Sequence, residues 1–274
     1  MGHPGDGSPQ SAGSLPAATT LPVGVSGLNA RRAIALLLAY VLAQLLTALV
    51  FAVIIGIYFF ISNPGLTPAQ LPNRLQTTPV LLSAGALGIL GGALLVAFMT
   101  RHFYRGTPRN EAYQELGLTR ASAQNFVIAA ILGLSLAGLY VMLAIKFVGP
   151  GHTPPVGLFG RAAAAGGFPR VLLAILAVLI APPVEEFLFR GAMFAGFKRT
   201  WGQSTALLLV TVLFVLLHAP EARAFWPALI GIAITAVALA AIRIRSGSLG
   251  PPITLHAYYN LGLVLTVFIA SGHS

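Results

Sequence analysis

From Ala33 to Ile61 the chain runs without a single charged side chain. Further predominantly apolar runs follow at about 79–99, 124–148, 170–197, 204–219, 225–242 and 249–270. About 20 apolar residues are enough to cross the hydrocarbon core of a bilayer. Lipid offers no partner to a backbone N–H or C=O, so a segment there must satisfy its own hydrogen bonds, which a helix does. The expected fold is therefore all-α: a polytopic bundle of about seven membrane-spanning helices. Composition agrees, with 57% hydrophobic and only 8% charged residues, against about 25% charged in a soluble domain. The first run is too long and too deep in the chain for a signal-peptide core, and it is expected to tilt or protrude.

Three segments are expected. Residues 1–30, rich in Gly, Pro, Ser, Ala and Thr, read as a disordered tail. Residues 31–123 read as an N-terminal transmembrane extension with a loop, and 124–274 as a catalytic transmembrane core. Pro64, Pro68 and Pro72 punctuate the first loop, and Gly149, Pro150, Pro154 and Pro155 the third. Gly88 and Gly92 form a G-x-x-x-G in the second span, a spacing that suits close helix packing and is common by chance. The segment Asn110–Leu118 (NEAYQELGL) reads either as a short amphipathic surface helix or as a plain loop.

The net charge of +10 lies between the apolar runs. No basic patch with interleaved aromatics appears, so the expected partner is the bilayer and not nucleic acid. With the N-terminus in the cytoplasm, the cytoplasmic segments hold Arg31, Arg32, Arg101, Arg105, Arg109, Arg120, Lys198, Arg199, Arg243 and Arg245. The other side holds Arg74, Arg161, Arg170 and Arg223, with Lys146 near a helix end. That asymmetry predicts an N-in, C-out protein of the plasma membrane. There is no cysteine, which excludes disulfides, thiolate metal sites and a cysteine nucleophile.

Six acidic residues are present, and Glu185 and Glu186 sit together after a long apolar run. A charge in lipid costs several kcal/mol and normally faces a cavity or a partner. Arg190, one turn after Glu186, can pair with it. Glu185 is rotated about 100° away and stays free to act as a general base. The plain alternative is a structural ion pair near a helix end. His218 closes another apolar run, where an imidazole is usually interfacial. Phe214, one turn earlier, reads as packing. His256 and Asn260 are four apart, hence on one face of the last span, able to ligate a metal, hold an oxyanion or bond a neighbouring helix. Pro251 and Pro252 open that helix, where proline is tolerated. Of strongly polar groups the first three spans offer only Gln44, Asn125 and Lys146. Polar groups in lipid must find one another, so one shared cavity is expected.

Glu185-Glu186-Phe187-Leu188-Phe189-Arg190 matches an EExxxR motif, Phe214 to His218 matches FxxxH, and His256 to Asn260 matches HxxxN. In order and spacing the chain resembles the CPBP family, the Abi-like intramembrane endopeptidases that include type II CAAX prenyl proteases and bacteriocin-processing enzymes. Arg245 to Ser248 and the ELGL of Glu115–Leu118 are similar to that family too. The resemblance covers roughly residues 110–270, with the motif core at 170–265. It implies that Glu185 and His218 activate water, that His256 and Asn260 stabilise the oxyanion, and that Glu186 and Arg190 support the site. It also leaves open a metalloprotease in which Glu185, His218 and His256 hold a zinc ion. The implied substrate is a peptide or protein at the membrane, lipidated in some members.

Two other function classes fit the same residues: a proton-coupled transporter, against which stands the lack of an inverted repeat, and a non-catalytic immunity or scaffold protein of the membrane. Helical rise poses one difficulty. Glu185 lies about 22 Å beyond Arg170 and His256 about 10 Å inside the last span, so these two meet, whereas His218 lies about 21 Å from residue 204, too deep to join them. Either the fifth span starts outside the membrane or its boundary differs.

Overall fold

The computed structural model describes residues 27–148, 158–222 and 225–271. Most of the expected tail, the Gly149–Pro155 punctuation and Arg223 lie outside them. The described residues are helical, without strands. The principal helices are α1 (Ala30–Ser62), α2 (Thr78–Phe103), α3 (Arg109–Leu116), α4 (Ala123–Val148), α5 (Leu158–Ala165), α6 (Gly167–Trp201), α7 (Gln203–Ala222), α8 (Pro227–Ser246) and α9 (Gly250–Ser271). All but α3 and α5 are long and apolar enough to cross a membrane, seven among the described residues.

The N-terminal extension is a tight hairpin. Gly88 of α2 lies against Gln44 of α1, and Gly92 lies against the Tyr40 ring. A Cβ at Gly92 would sit 2.6 Å from that ring, so the G-x-x-x-G is a packing surface. The hairpin docks on the far end of α6. The Ala30 N–H donates to Thr200 Oγ1, and the Asn29 backbone crosses α6 where Gly196 leaves room. α4 packs along α9, where Gly133 and Gly262 permit close approach. α5 plugs the opposite end, burying Ala162 with Leu82 and Leu173.

Residues 109–116 are helical, so the surface-helix reading of NEAYQELGL holds over the loop reading. The segment is anchored and does not merely lie on the surface. Leu116 is buried, and Glu115 accepts from the Tyr104 hydroxyl at 2.7 Å and faces Arg199 at 4.0 Å. Burial, and then that hydrogen bond to Glu115, push the Tyr104 phenol above its ordinary range, keeping it a donor. Gly117 closes α3 in the left-handed region (φ 76°), and its carbonyl accepts from the Leu249 N–H.

α6 runs 35 residues, about 52 Å at the helical rise, and changes pitch twice along the way. Its widened π-helical turns span Ile175–Ile180 and Phe187–Met193. The first follows from Pro182 and Pro183, which have no N–H to return to the preceding turn. The Ala181 N–H instead reaches back five residues to the Leu176 carbonyl. In that register Pro182 would have to serve the Ala177 carbonyl and cannot, so this oxygen is left without a backbone donor.

The hairpin of α6 and α7 answers the depth question. Glu185 precedes the turn at Gly202 by about 25 Å and His218 follows it by about 24 Å at the helical rise. The two are therefore level. The turn itself extends past the α8–α9 turn, because Gly191, only six residues after Glu185, already meets Leu249. The fifth span thus begins well outside the layer that holds the site.

Candidate active site

Four helices deliver side chains to one point. Glu186 is fully buried on α6 and its Oε1 accepts from Arg190 Nη1 at 3.1 Å, one turn on. The second guanidinium nitrogen donates to the Ala236 carbonyl of α8 at 3.2 Å. The guanidinium also lies over the Phe214 ring, 4.4 Å from its centroid, so α7 covers the cation with the negative face of an aromatic ring. Phe214, read as packing, is a structural part of the site. Its ring stacks at 4.4 Å on His218, and its carbonyl meets His218 Nδ1 at 2.8 Å. Arg243, also buried, donates from Nε to the Arg190 carbonyl at 3.1 Å.

Glu185 points away from the ion pair and toward both imidazoles. Its Oε2 is 3.8 Å from His218 Nε2 and 3.9 Å from His256 Nε2. His256 Nδ1 lies 3.0 Å from Glu186 Oε1. These contacts assign the tautomers. A carbonyl only accepts, so His218 carries its proton on Nδ1 toward Phe214; Glu186, ionised by its pairing with Arg190, likewise takes the Nδ1 proton of His256. Each neutral imidazole then presents a bare Nε2 to Glu185. Three acceptors converge, and the distances exceed those of direct hydrogen bonds.

Charge counting says what such a group holds. Glu185 and Glu186 carry two negative charges against one on Arg190. Two carboxylates and one guanidinium thus stand beside two imidazoles, groups able to take up and release a proton. The group can thus take a proton from water and return it.

The donor types would suit zinc, but a tetrahedral ion about 2.1 Å from each donor would hold them roughly 3.4 Å apart, closer than observed. Among the described residues no three His, Asp or Glu side chains are arranged to hold a metal ion.

Asn260 behaves differently from the other expected residues. Its Nδ2 donates to the Ala177 carbonyl at 2.7 Å, the oxygen that Pro182 leaves without a donor. Among the described residues its hydrogen bond is to that carbonyl, and none is seen to Glu185 or either imidazole. Its second amide hydrogen remains. Glu185, Glu186, Arg190, His218 and His256 therefore converge, while Asn260 sits one turn along α9 and ties it to the widened turn of α6. Sequence reasoning did not reach Ala236 and Ala177, which act through backbone carbonyls, and gave no role here to Arg243.

Residues 167–262 match the family model described as type II CAAX prenyl endopeptidase, Rce1-like. The matched stretch, about a third of the chain, is similar to an Rce1-like domain. The match supports the CPBP assignment made on the motifs, and the family implies a protease acting within the membrane. The matched region starts at α6 and includes every residue of the converging cluster; α1 to α5 lie outside it. No curated protein and no solved structure matches the chain.

Proposed function

We propose that the chain is an intramembrane endopeptidase in which Glu185, aided by His218, activates water against a peptide bond of a membrane-associated substrate. The observation that carries this is Glu185 Oε2 standing 3.8 and 3.9 Å from two imidazole Nε2 atoms. His218 is 26% exposed and Glu185 18%, while His256 is 7% exposed, so the His218 side of the group is the more open one, and Glu185 Oε2 itself is enclosed. As the water oxygen bonds to the carbonyl carbon, its proton passes to the Glu185–imidazole group. Once it has taken up that proton, His256, steadied from behind by Glu186, and the second amide hydrogen of Asn260 are the donors assigned to the oxyanion. Collapse breaks the C–N bond, and the stored proton goes to the leaving amine.

The substrate is taken to be a peptide near the bilayer, lipidated or not, with residues 124–274 as the catalytic unit and 31–123 as the extension. The basic residues Arg31, Arg101, Arg105 and Lys198 lie at one end of the bundle, which supports an N-terminus facing the cytoplasm of the plasma membrane. The test uses purified protein in lipid vesicles with a fluorogenic peptide, farnesylated on cysteine or unmodified. Glu185→Gln should abolish cleavage while keeping the wild-type unfolding midpoint, and wild-type cleavage should survive chelation without stoichiometric zinc. Cleavage by Glu185→Gln at the wild-type rate would refute the assignment.

A further inference from the structure

The second widened turn of α6, Phe187–Met193, starts directly after Glu185 and Glu186 and holds Arg190. Unlike the first, it contains no proline. At ordinary pitch the Arg190 carbonyl would accept from the Phe194 N–H, four residues on. That N–H is instead spent on the Phe189 and Gly191 carbonyls. Ordinary helix resumes at Phe194, so the long-reaching bonds stop one residue too early to serve Arg190. Its carbonyl is skipped. Arg190 is 1% exposed, and a buried carbonyl needs a donor. Arg243 of α8 supplies one, with Nε donating at 3.1 Å.

The first widened turn is closed in the same way. Its last long-reaching N–H, Ala181, goes to Leu176, the Ala177 carbonyl is skipped, and Asn260 of α9 donates to it. In both turns the skipped oxygen lies four residues before that last N–H, and a side chain of a neighbouring helix takes it. The second turn is held more firmly, because α6 and α8 bond in both directions. Arg190 reaches the Ala236 carbonyl at 3.2 Å, and Arg243, about two turns further along α8, reaches back to the Arg190 carbonyl. Arg243 is itself 6% exposed, with its guanidinium 5.5 Å from the centroid of the Phe194 ring.

We propose that Arg243 is a positioning residue for the reaction: its bond to the Arg190 carbonyl holds the second widened turn, and that turn sets the register of the Glu185–Glu186 pair. The proposal rests on the endopeptidase reading above, and Arg243 touches no reacting atom. Without its donor the turn can return to ordinary pitch. One side of it then shifts against the other by about one residue, roughly 100° and 1.5 Å. Arg190, fixed to Ala236, and the two glutamates, fixed to the imidazoles, cannot both keep their partners through such a shift.

The test uses the chemistry of the side chain. The fourth side-chain atom is Nε in arginine and Nε2 in glutamine, so Arg243→Gln keeps a donor at that place and loses the charge. Arg243→Met has the same reach and no donor. Both are compared with wild type and Glu185→Gln in vesicles on the farnesylated fluorogenic peptide, with rates taken per folded molecule. Arg243→Met should lower kcat by about 10- to 100-fold, the scale of a displaced catalytic group, with KM within about threefold. Arg243→Gln should keep kcat within about threefold of wild type, and it decides the matter alone should Arg243→Met fail to fold. Wild-type kcat in folded Arg243→Met, or a loss confined to KM, overturns the proposal. So does an Arg243→Gln with a more than tenfold loss of kcat, which would make the charge and not the bond the working part. If Glu185→Gln is dead beside any of these results, this inference alone falls. If Glu185→Gln cleaves like wild type, the endopeptidase reading falls and takes this one with it.

Discussion

Replacing Arg190 with methionine removes a cation that is 1% exposed and leaves Glu186, 0% exposed, as a buried carboxylate. Three contacts go at once: the 3.1 Å pairing with Glu186, the 3.2 Å donation to the Ala236 carbonyl and the guanidinium over Phe214. Breaking one side of a buried ion pair costs roughly 3 to 5 kcal/mol, because the remaining charge is uncompensated. At 1.4 kcal/mol per factor of ten, the folded-to-unfolded ratio should fall by about 100-fold to several thousand-fold. The assay is equilibrium unfolding in mixed micelles titrated with a denaturing detergent, followed by tryptophan fluorescence. The double variant Glu186→Gln/Arg190→Met should recover most of the loss. Glu186 Oε2 and Arg190 Nε both lack partners, so the native pair is itself incompletely compensated. Recovery of stability should not restore cleavage to the wild-type level, because His256 Nδ1 would no longer face a carboxylate. A single variant within 1 kcal/mol of wild type would refute the assignment of Glu186 as a buried anion held by Arg190.

Asn260→Leu should destabilise the protein by about 1 kcal/mol, the scale of an interhelical hydrogen bond in a membrane, because the Ala177 carbonyl is then left with no donor; unchanged stability in the same titration would remove its capping role. Gly117→Ala should cost about 1–2 kcal/mol for the left-handed backbone alone. It should cost more through Arg243, whose guanidinium occupies the space of the new methyl group, and a loss smaller than the backbone figure would show that α3 is not locked there.

The bundle was legible because each long apolar run reports on lipid directly, and length decides whether it spans. The same rule made the acidic pair conspicuous. Spacing of four placed Glu186 with Arg190 and His256 with Asn260 on shared faces, since helical pitch needs no tertiary knowledge. Pitch left one question of depth open, because it cannot say where the α6–α7 turn stands relative to the site. The division of labour on α9 was not legible either. His256 reaches the carboxylates, whereas Asn260 is drawn to a carbonyl that Pro182 deprives of its donor, an event one helix away.

What the sequence alone determined is the class of solvent, the number of spans and the residue types that must gather in it. These are local properties: apolar length, charge cost and periodicity. The tertiary structure alone decided which atoms meet. It set two imidazole nitrogens against Glu185 and laid Phe214 under Arg190. Such contacts depend on how helices distant in the chain cross, and that is settled by side-chain packing between helices, not by any pattern within one of them.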